Sequence, residues 1–192
     1  MSQSEYILGF VAILVGVAIA DMAGIFHKLL RARSRVRWHW LPLAAAGLVV
    51  LLTVELWWSL TSFERLPGAL TIGLFLPLLI GLIALYLLAS AVLPDEVPDA
   101  GLDLRTFYFT EHRYFWLLFA LLTASFVVLQ VANAWHFRGP GAVGQSLWAV
   151  RLNLIITLAL SLAYSSRPWW HKTWLGLLPA IMLVGMFTRK LM

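Results

Sequence analysis

The chain has 192 residues, of which 61% are hydrophobic and only 12% are charged, and its mean hydropathy is +0.86. An ordinary soluble domain is about half apolar and about a quarter charged, and a core of this size cannot bury so much apolar surface. The composition therefore excludes a soluble globular domain and a disordered chain, and the absence of cysteine excludes a disulfide scaffold. It predicts an all-α fold, a polytopic transmembrane helical bundle that forms one integral membrane domain over residues 1–192.

Six stretches are apolar over the length of about 20 helical residues that a bilayer core requires. In chain order they cover residues 6–27, 40–62, 69–93, 114–137, 143–164 and 169–188. The connecting segments are short, so they leave no room for a separate soluble domain. The first span has the length of a secretory signal, but its basic residues follow the apolar run, and we expect an uncleaved helix.

Basic residues are distributed unequally between the two sides of this bundle. Nine Lys or Arg residues lie in the loops after spans one, three and five or at their edges, and four lie on the opposite side. Because basic loops stay in the cytoplasm, this asymmetry predicts that both termini are periplasmic. Four of the nine form a run after span one: Arg31, Arg33, Arg35 and Arg37. The run can pair with anionic lipid headgroups or with the acidic loop 94–113, and no nucleic-acid partner is expected.

Span one carries a small residue at every fourth position of one helix face: Ala12, Gly16, Ala20 and Gly24. Such a face allows another helix to approach closely. We therefore interpret span one as a central helix of the bundle or as a helix at the subunit interface of a homo-oligomer.

Three ionisable residues lie inside predicted spans, where each costs about 3 kcal/mol or more if it faces lipid. Glu55 in span two and Arg151 in span five lie at a similar depth, about 10 Å from the outer surface. Gln130 and Asn133 reach the same depth from one face of span four. We expect these four residues to form one polar cluster, which is either a structural ion pair or an outer site for an ion or a solute.

The third ionisable residue is Asp21, toward the inner end of span one. It has no basic residue at its own depth, so it either joins helices through hydrogen bonds or carries a proton or a cation. Span five also carries a stripe of small or polar residues: Gln145, Ala149, Asn153, Thr157, Ser161 and Ser165. Such a stripe either packs tightly or lines water. If the chain conducts ions, we expect the path to run from Asp21 towards Glu55.

Four histidines lie at the predicted cytoplasmic boundary: His27, His39, His112 and His171. Imidazole binds transition metals and haem iron, which makes these residues candidate metal ligands. None lies in the middle of a span, and no HxxxH or HExxH spacing occurs, so ordinary interfacial side chains are the favoured interpretation. We expect no cofactor and no metal. No phosphate-binding loop, dinucleotide fingerprint or nucleophile elbow occurs, and no catalytic residue is predicted.

Residues 6–58, with the Arg-rich turn and the run Glu55-Leu56-Trp57-Trp58, resemble uncharacterised bacterial six-span membrane proteins. Residues 103–116, with their aromatic run, resemble them too, and the resemblance covers about half of the chain. It implies a location in the bacterial inner (plasma) membrane. It implies no activity and no site residues.

Two functions are compatible with this sequence. The first is a small homo-oligomeric channel or transporter for protons or small ions, suggested by Asp21, Glu55, Arg151 and the stripe of span five. The alternative is a non-catalytic membrane interaction, sensor or assembly subunit, suggested by the small-residue face of span one. A membrane enzyme ranks third, because no nucleophile, metal set or acid–base pair is identified.

Overall fold

The computed structural model of the protein describes residues 3–61, 72–138 and 147–188. The protein is all-helical, as the sequence predicts, with 86% helix. The six helices are α1 (Gln3–Arg31), α2 (Trp40–Thr61), α3 (Ile72–Ala91), α4 (Leu104–Arg138), α5 (Leu147–Tyr164) and α6 (Pro168–Thr188). A 3-10 turn (Arg33–Arg35) and two short strands, β1 (Val36–Arg37) and β2 (Leu102–Asp103), lie in the loops between them.

Three helices are long and apolar enough to cross a membrane. The segments are Glu5–Arg31 in α1, Trp40–Trp57 in α2 and Leu104–Leu129 in α4, with mean hydropathies of 2.3, 1.8 and 1.6. Shorter apolar segments occur in α3 (Phe75–Ala91) and in α5 (Asn153–Tyr164). These helices support the membrane character of the chain, whereas the number of spans and the sides of the termini stay predictions.

Helix α4 begins at Leu104, whereas the sequence analysis places a loop up to residue 113 and a span from residue 114. The earlier start is explained by Asp103, whose Oδ1 accepts hydrogen bonds from the backbone N–H groups of Arg105 (2.8 Å) and Thr106 (3.2 Å). A carboxylate in this position satisfies N–H groups that the first turn of a helix leaves unbonded. Helix α4 therefore starts before the predicted span, and the aromatic run 107–109 belongs to its first turns.

Helix α4 occupies the centre of the bundle. It packs against α3, α5 and α2, while α1 packs on α3 and α2, and α6 packs on α2. The core between these helices is aliphatic and aromatic, with Leu48, Leu82 and Trp116 each no more than 1% exposed. Because α4 contacts three neighbours, residues on its different faces are brought close to several other helices.

The small-residue stripe of α1 faces away from this bundle. Ala12, Gly16, Ala20 and Gly24 are all exposed. A Cβ atom added at either glycine would meet nothing within 4 Å. The buried face of α1 is formed, apart from Ala18, by larger side chains: Val11, Val15, Ala18, Met22, Ile25 and Leu29. The interpretation of α1 as a central helix that packs through its stripe is therefore wrong within the chain, and a subunit interface stays a prediction.

Strands β1 and β2 pair in parallel and join the α1–α2 loop to the α3–α4 loop. We call this pair, with its flanking ion pairs, the loop strap. Arg35 Nη1 lies 2.6 Å from Asp99 Oδ1, and Arg37 Nη1 lies 3.6 Å from Asp103 Oδ2. The basic run thus pairs with the acidic loop through two of its arginines, which is one of the two alternatives that the sequence analysis leaves open.

Gly101 allows the loop strap to close. Its φ is +93°, a backbone conformation that disfavours side chains, and a Cβ atom there would lie 3.0 Å from the carbonyl oxygen of Arg35. Glycine is therefore required at this turn for both conformational and steric reasons.

Helices α3 and α4 approach each other closely at Gly81. A Cβ atom at this position would lie 2.5 Å from Oγ of Ser125. The Ser125 hydroxyl donates a hydrogen bond to the carbonyl oxygen of Leu122 at 2.7 Å. Because the hydroxyl cannot turn away without losing this buried bond, a larger residue at position 81 must separate the two helices.

We expect Gly81→Ala to destabilise the protein by about 1–3 kcal/mol, the usual cost of an added methyl group in a packed core. Thermal unfolding in detergent measures the effect. In a Ser125→Ala background the same substitution should cost much less, because the oxygen that it meets is gone. The control is Gly176→Ala on α6, where an added Cβ meets nothing within 4 Å. Equal losses of Tm at the two glycines would contradict the close approach.

Candidate functional site

Three hydrogen-bonded side chains are buried where the first turns of α4 meet the start of α6. The hydroxyl of Tyr108 lies 2.9 Å from Nδ1 of His171, and the indole N–H of Trp116 donates to that hydroxyl at 3.1 Å. His171 and Trp116 are fully buried, and Tyr108 is 4% exposed. We call these three residues the tyrosine–histidine cluster. Its hydrogen bonds link the start of α6 to the centre of the bundle.

The partners of the cluster determine where its protons lie. Nε2 of His171 is 2.6 Å from the carbonyl oxygen of Ser165, which only accepts, so Nε2 carries a proton. In the neutral ring Nδ1 is then an acceptor, and the Tyr108 hydroxyl donates to it. The donors therefore run in one direction, from Trp116 through Tyr108 and His171 to the backbone of Ser165. Every N–H and O–H group in this series has a partner.

A second histidine, His112, lies against the cluster. Its ring centroid is 5.2 Å from that of His171, and the two rings are nearly perpendicular at 88°. Nδ1 of His112 is 2.7 Å from the carbonyl oxygen of Phe109, so this nitrogen is the donor and Nε2 is left as an acceptor. The Phe109 ring packs edge-on against His171, with centroids 5.5 Å apart. Two of the four boundary histidines are thus brought together.

A small, shallow cleft opens beside the cluster. Its lining is apolar except for three residues that share one face of α4 within little more than one turn: Tyr108, Glu111 and His112. The other lining residues are Ala45, Ala91, Val92, Phe107 and Phe115. Glu111 and His112 are half-buried and border the cleft. A carboxyl group and an imidazole are acid–base groups, so the cleft presents proton donors and acceptors near the Tyr108–His171 hydrogen bond.

The polar stripe of α5 packs against α6 at its inner end. The indole N–H of Trp170 donates to Ser161 Oγ at 3.1 Å, and the Ser161 hydroxyl donates to the carbonyl oxygen of Leu158 at 2.7 Å. Farther along the helix, Asn153 and Thr157 are exposed, and the Thr157 hydroxyl donates to the carbonyl oxygen of Asn153 at 2.9 Å. The packing alternative therefore applies to Ser161, while Asn153 lies on an outer face of the chain.

Two other predicted site residues, Asp21 and Glu55, are described on α1 and α2. Asp21 is half-buried on α1, which packs on α3 and α2, and Glu55 is half-buried on α2. The side chains of Gln130, Asn133 and Arg151 lie outside the described residues. The predicted polar cluster around Glu55 therefore stays a prediction.

No group of three or more His, Asp or Glu side chains that could hold a metal ion occurs in the described part of the chain. His27 is exposed near the end of α1. His39 accepts a hydrogen bond at Nδ1 from the backbone N–H of Leu41 (3.3 Å) and so caps the start of α2. Burial, together with the charges of Arg105 and Lys172, lowers the pKa of His39. The neutral imidazole that the cap requires is thereby favoured.

Neither a protein-family model, nor a curated protein, nor a solved structure matches the chain. The candidate site therefore rests on the geometry of its own residues. The role of Tyr108 is not predicted from the sequence, because residues 94–113 are interpreted as a loop whose aromatic part lies along the membrane surface as a short amphipathic helix. A signal was present, since Tyr108, His112 and Trp116 follow one another at spacing four and so share one face of a helix.

We expect Tyr108→Phe to destabilise the protein by about 1–3 kcal/mol, because it leaves a buried imidazole nitrogen and a buried indole N–H without partners. Chemical or thermal unfolding in detergent measures the loss. Tyr114→Phe is the matched control on the same helix, since Tyr114 is 48% exposed. A loss at position 114 as large as that at position 108 would show that the hydrogen bonds of the cluster do not stabilise the fold.

Proposed function

We propose that the protein is a small homo-oligomeric channel or transporter that moves protons or small ions across the bacterial inner membrane. In this proposal it crosses the membrane six times and has both termini in the periplasm. The observation that supports it is the buried series Trp116–Tyr108–His171 beside a cleft lined by Glu111 and His112. Within this series a proton can move only between the Tyr108 hydroxyl and the His171 imidazole, which share a hydrogen bond. The indole N–H of Trp116 only donates, so it holds the hydroxyl in position.

Protons are favoured over larger ions by the size and the lining of the site. The cleft is narrow, and its polar groups are two titratable side chains and a hydroxyl that both donates and accepts. Histidine titrates within the physiological pH range, so it can accept and release a proton under ordinary conditions. A hydrated metal cation would need more oxygen ligands than these side chains supply.

Two carboxylates in the predicted spans, Asp21 and Glu55, lie at other levels of the bundle and extend the proposed proton path. The cluster lies near the start of α4 and α6, at the end of the bundle where His39 is close enough to Arg105 and Lys172 to feel their charges. Asp21 precedes the end of α1 by ten residues, or about 15 Å of helix. Glu55 lies near the opposite end of α2. We propose that protons pass between the cluster, Asp21 and Glu55, with water bridging the intervals.

The orientation is tested with reporter fusions. We expect a reporter inserted at Pro98 to be cytoplasmic and one fused after Lys190 to be periplasmic, because the basic residues are concentrated in the loops on the side of Pro98. Paired alkaline phosphatase and fluorescent-protein fusions measure the two sides independently. A cytoplasmic reporter after Lys190 would contradict the even number of spans.

The proposed function is tested by proton flux into liposomes that contain the purified protein. With a pH-sensitive dye and an imposed membrane potential, we expect wild-type flux above that of empty liposomes and a loss of at least about tenfold in Asp21→Asn. The amide keeps the shape of the side chain but cannot carry the proton. Asp95→Asn is the control, because Asp95 is an exposed loop carboxylate outside the helices. Unchanged flux in Asp21→Asn would contradict the path.

A wild-type protein without flux would instead favour the interaction or assembly subunit. The observation that supports this second candidate is the exposed small-residue stripe on α1, a helix that is long and apolar enough to cross a membrane. Small residues in such a helix permit close contact with another transmembrane helix. A partner helix or a second copy of the chain would then occupy the stripe, and the oligomeric mass in detergent would report it.

A further inference from the structure

The basic run between α1 and α2 is divided into two parts by its contacts. Arg35 and Arg37 lie beside Asp99 and Asp103 in the loop strap. Arg31 and Arg33 are exposed, and neither has a carboxylate within ion-pair distance among the residues that the structure describes. Lys28, one turn before Arg31, is exposed in the same way. Within the described ranges 3–61, 72–138 and 147–188, these three cations therefore have no carboxylate at ion-pair distance.

These three cations lie where a membrane helix reaches the lipid headgroups. Lys28 and Arg31 occupy the last turn of α1, and the apolar segment of that helix ends at Arg31. Arg33 opens the 3-10 turn that follows. A helix that crosses the bilayer places its last turn at the headgroup layer, and basic residues are frequent at this level. The cations are thus at the height of lipid phosphates.

An exposed aromatic pair flanks the cations in the chain, with one ring before them and one after them. The rings of Phe26 and Trp38 contact edge to face, with centroids 6.5 Å apart and an angle of 76°. Phe26 is 38% exposed and Trp38 is 40% exposed, so both present apolar surface outward. Aromatic rings with this exposure are typical of the boundary between headgroups and acyl chains. Exposed apolar rings and exposed basic residues therefore occur together in the short stretch of chain that ends α1 and follows it.

We propose that Lys28, Arg31 and Arg33 form a binding site for the headgroup of an anionic phospholipid, with Phe26 and Trp38 against the upper part of its acyl chains. Arginine donates paired hydrogen bonds to phosphate oxygens, and each basic residue near an anionic surface adds about 1 kcal/mol of attraction. Arg35 and Arg37 contribute little to this site, because Asp99 and Asp103 already neutralise them. The site is separate from the tyrosine–histidine cluster and does not depend on the proposed function.

The test compares two double variants that remove equal charge from the same loop. Unfolding temperatures are measured in nanodiscs of phosphatidylcholine with and without phosphatidylglycerol. We expect phosphatidylglycerol to raise the Tm of the wild type and of Arg35→Gln/Arg37→Gln, and to leave that of Arg31→Gln/Arg33→Gln unchanged. The quantity compared is the shift between lipids within each variant, so a lower starting Tm after loss of the loop strap does not affect the result.

Three results would overturn the proposed site. The first is a wild-type Tm that does not change with phosphatidylglycerol, and the second is an equal loss of the Tm shift in the two double variants. The third is an equal Tm shift when inorganic phosphate is added to phosphatidylcholine nanodiscs. The last result would assign the cations to a free anion rather than to a lipid.

A second measurement, the quenching of tryptophan fluorescence by brominated lipids, tests the site without an arginine substitution. Brominated phosphatidylglycerol should quench tryptophan fluorescence more than brominated phosphatidylcholine does, and Trp38→Phe should remove most of the difference. Trp135→Phe is the control, because Trp135 is 61% exposed near the other end of α4. Equal quenching by the two lipids in the wild type would overturn the proposal.

Discussion

The carboxylate of Asp103 determines where the central helix begins. One oxygen accepts hydrogen bonds from the N–H groups of Arg105 and Thr106, and the other lies 3.6 Å from Arg37. The hydrogen bond from Thr106, with that from Arg105 and the charge of Arg37, lowers the pKa of Asp103. Its ionised form therefore holds at neutral pH both the first turn of α4 and the loop strap. Because α4 starts here, Tyr108 falls on a helix and faces the interior.

The sequence predicts which segments are helical better than it predicts which helix faces pack against each other. Long apolar runs predicted an all-helical chain. A segment that crosses lipid must satisfy its own backbone hydrogen bonds, and an α-helix does so within one continuous run. The start of α4 was missed, since an aspartate in an acidic loop has the same appearance in a sequence whether or not it caps a helix. For α1 the spacing of Gly16 and Gly24 identified a shared face, but only the packing of α3 and α2 decides which face is buried.

The candidate site could be predicted only in part for a related reason. The sequence predicts that His112 and His171 lie at the same boundary of the membrane. Their positions near the starts of α4 and α6 agree with that prediction. Their separation of 5.2 Å depends on how two helices distant in the chain are arranged, and no local pattern records it. Tyr108, His112 and Trp116 follow one another at every fourth position, which places them on one face of a helix. This spacing predicts a shared face only when α4 is known to begin before residue 108.

The polar groups at this end of the bundle are divided between neutral and charged pairs according to depth. In the buried cluster, Tyr108, Trp116 and His171 satisfy one another as neutral groups, and so they avoid the large desolvation cost of a buried ion. The exposed loop strap uses full charges, where water screens them. A proton that enters the cluster must therefore bring its charge into a site built for neutral groups. In the proposed proton path, that charge would reach the half-buried Glu111 and His112 first, because they border the cleft.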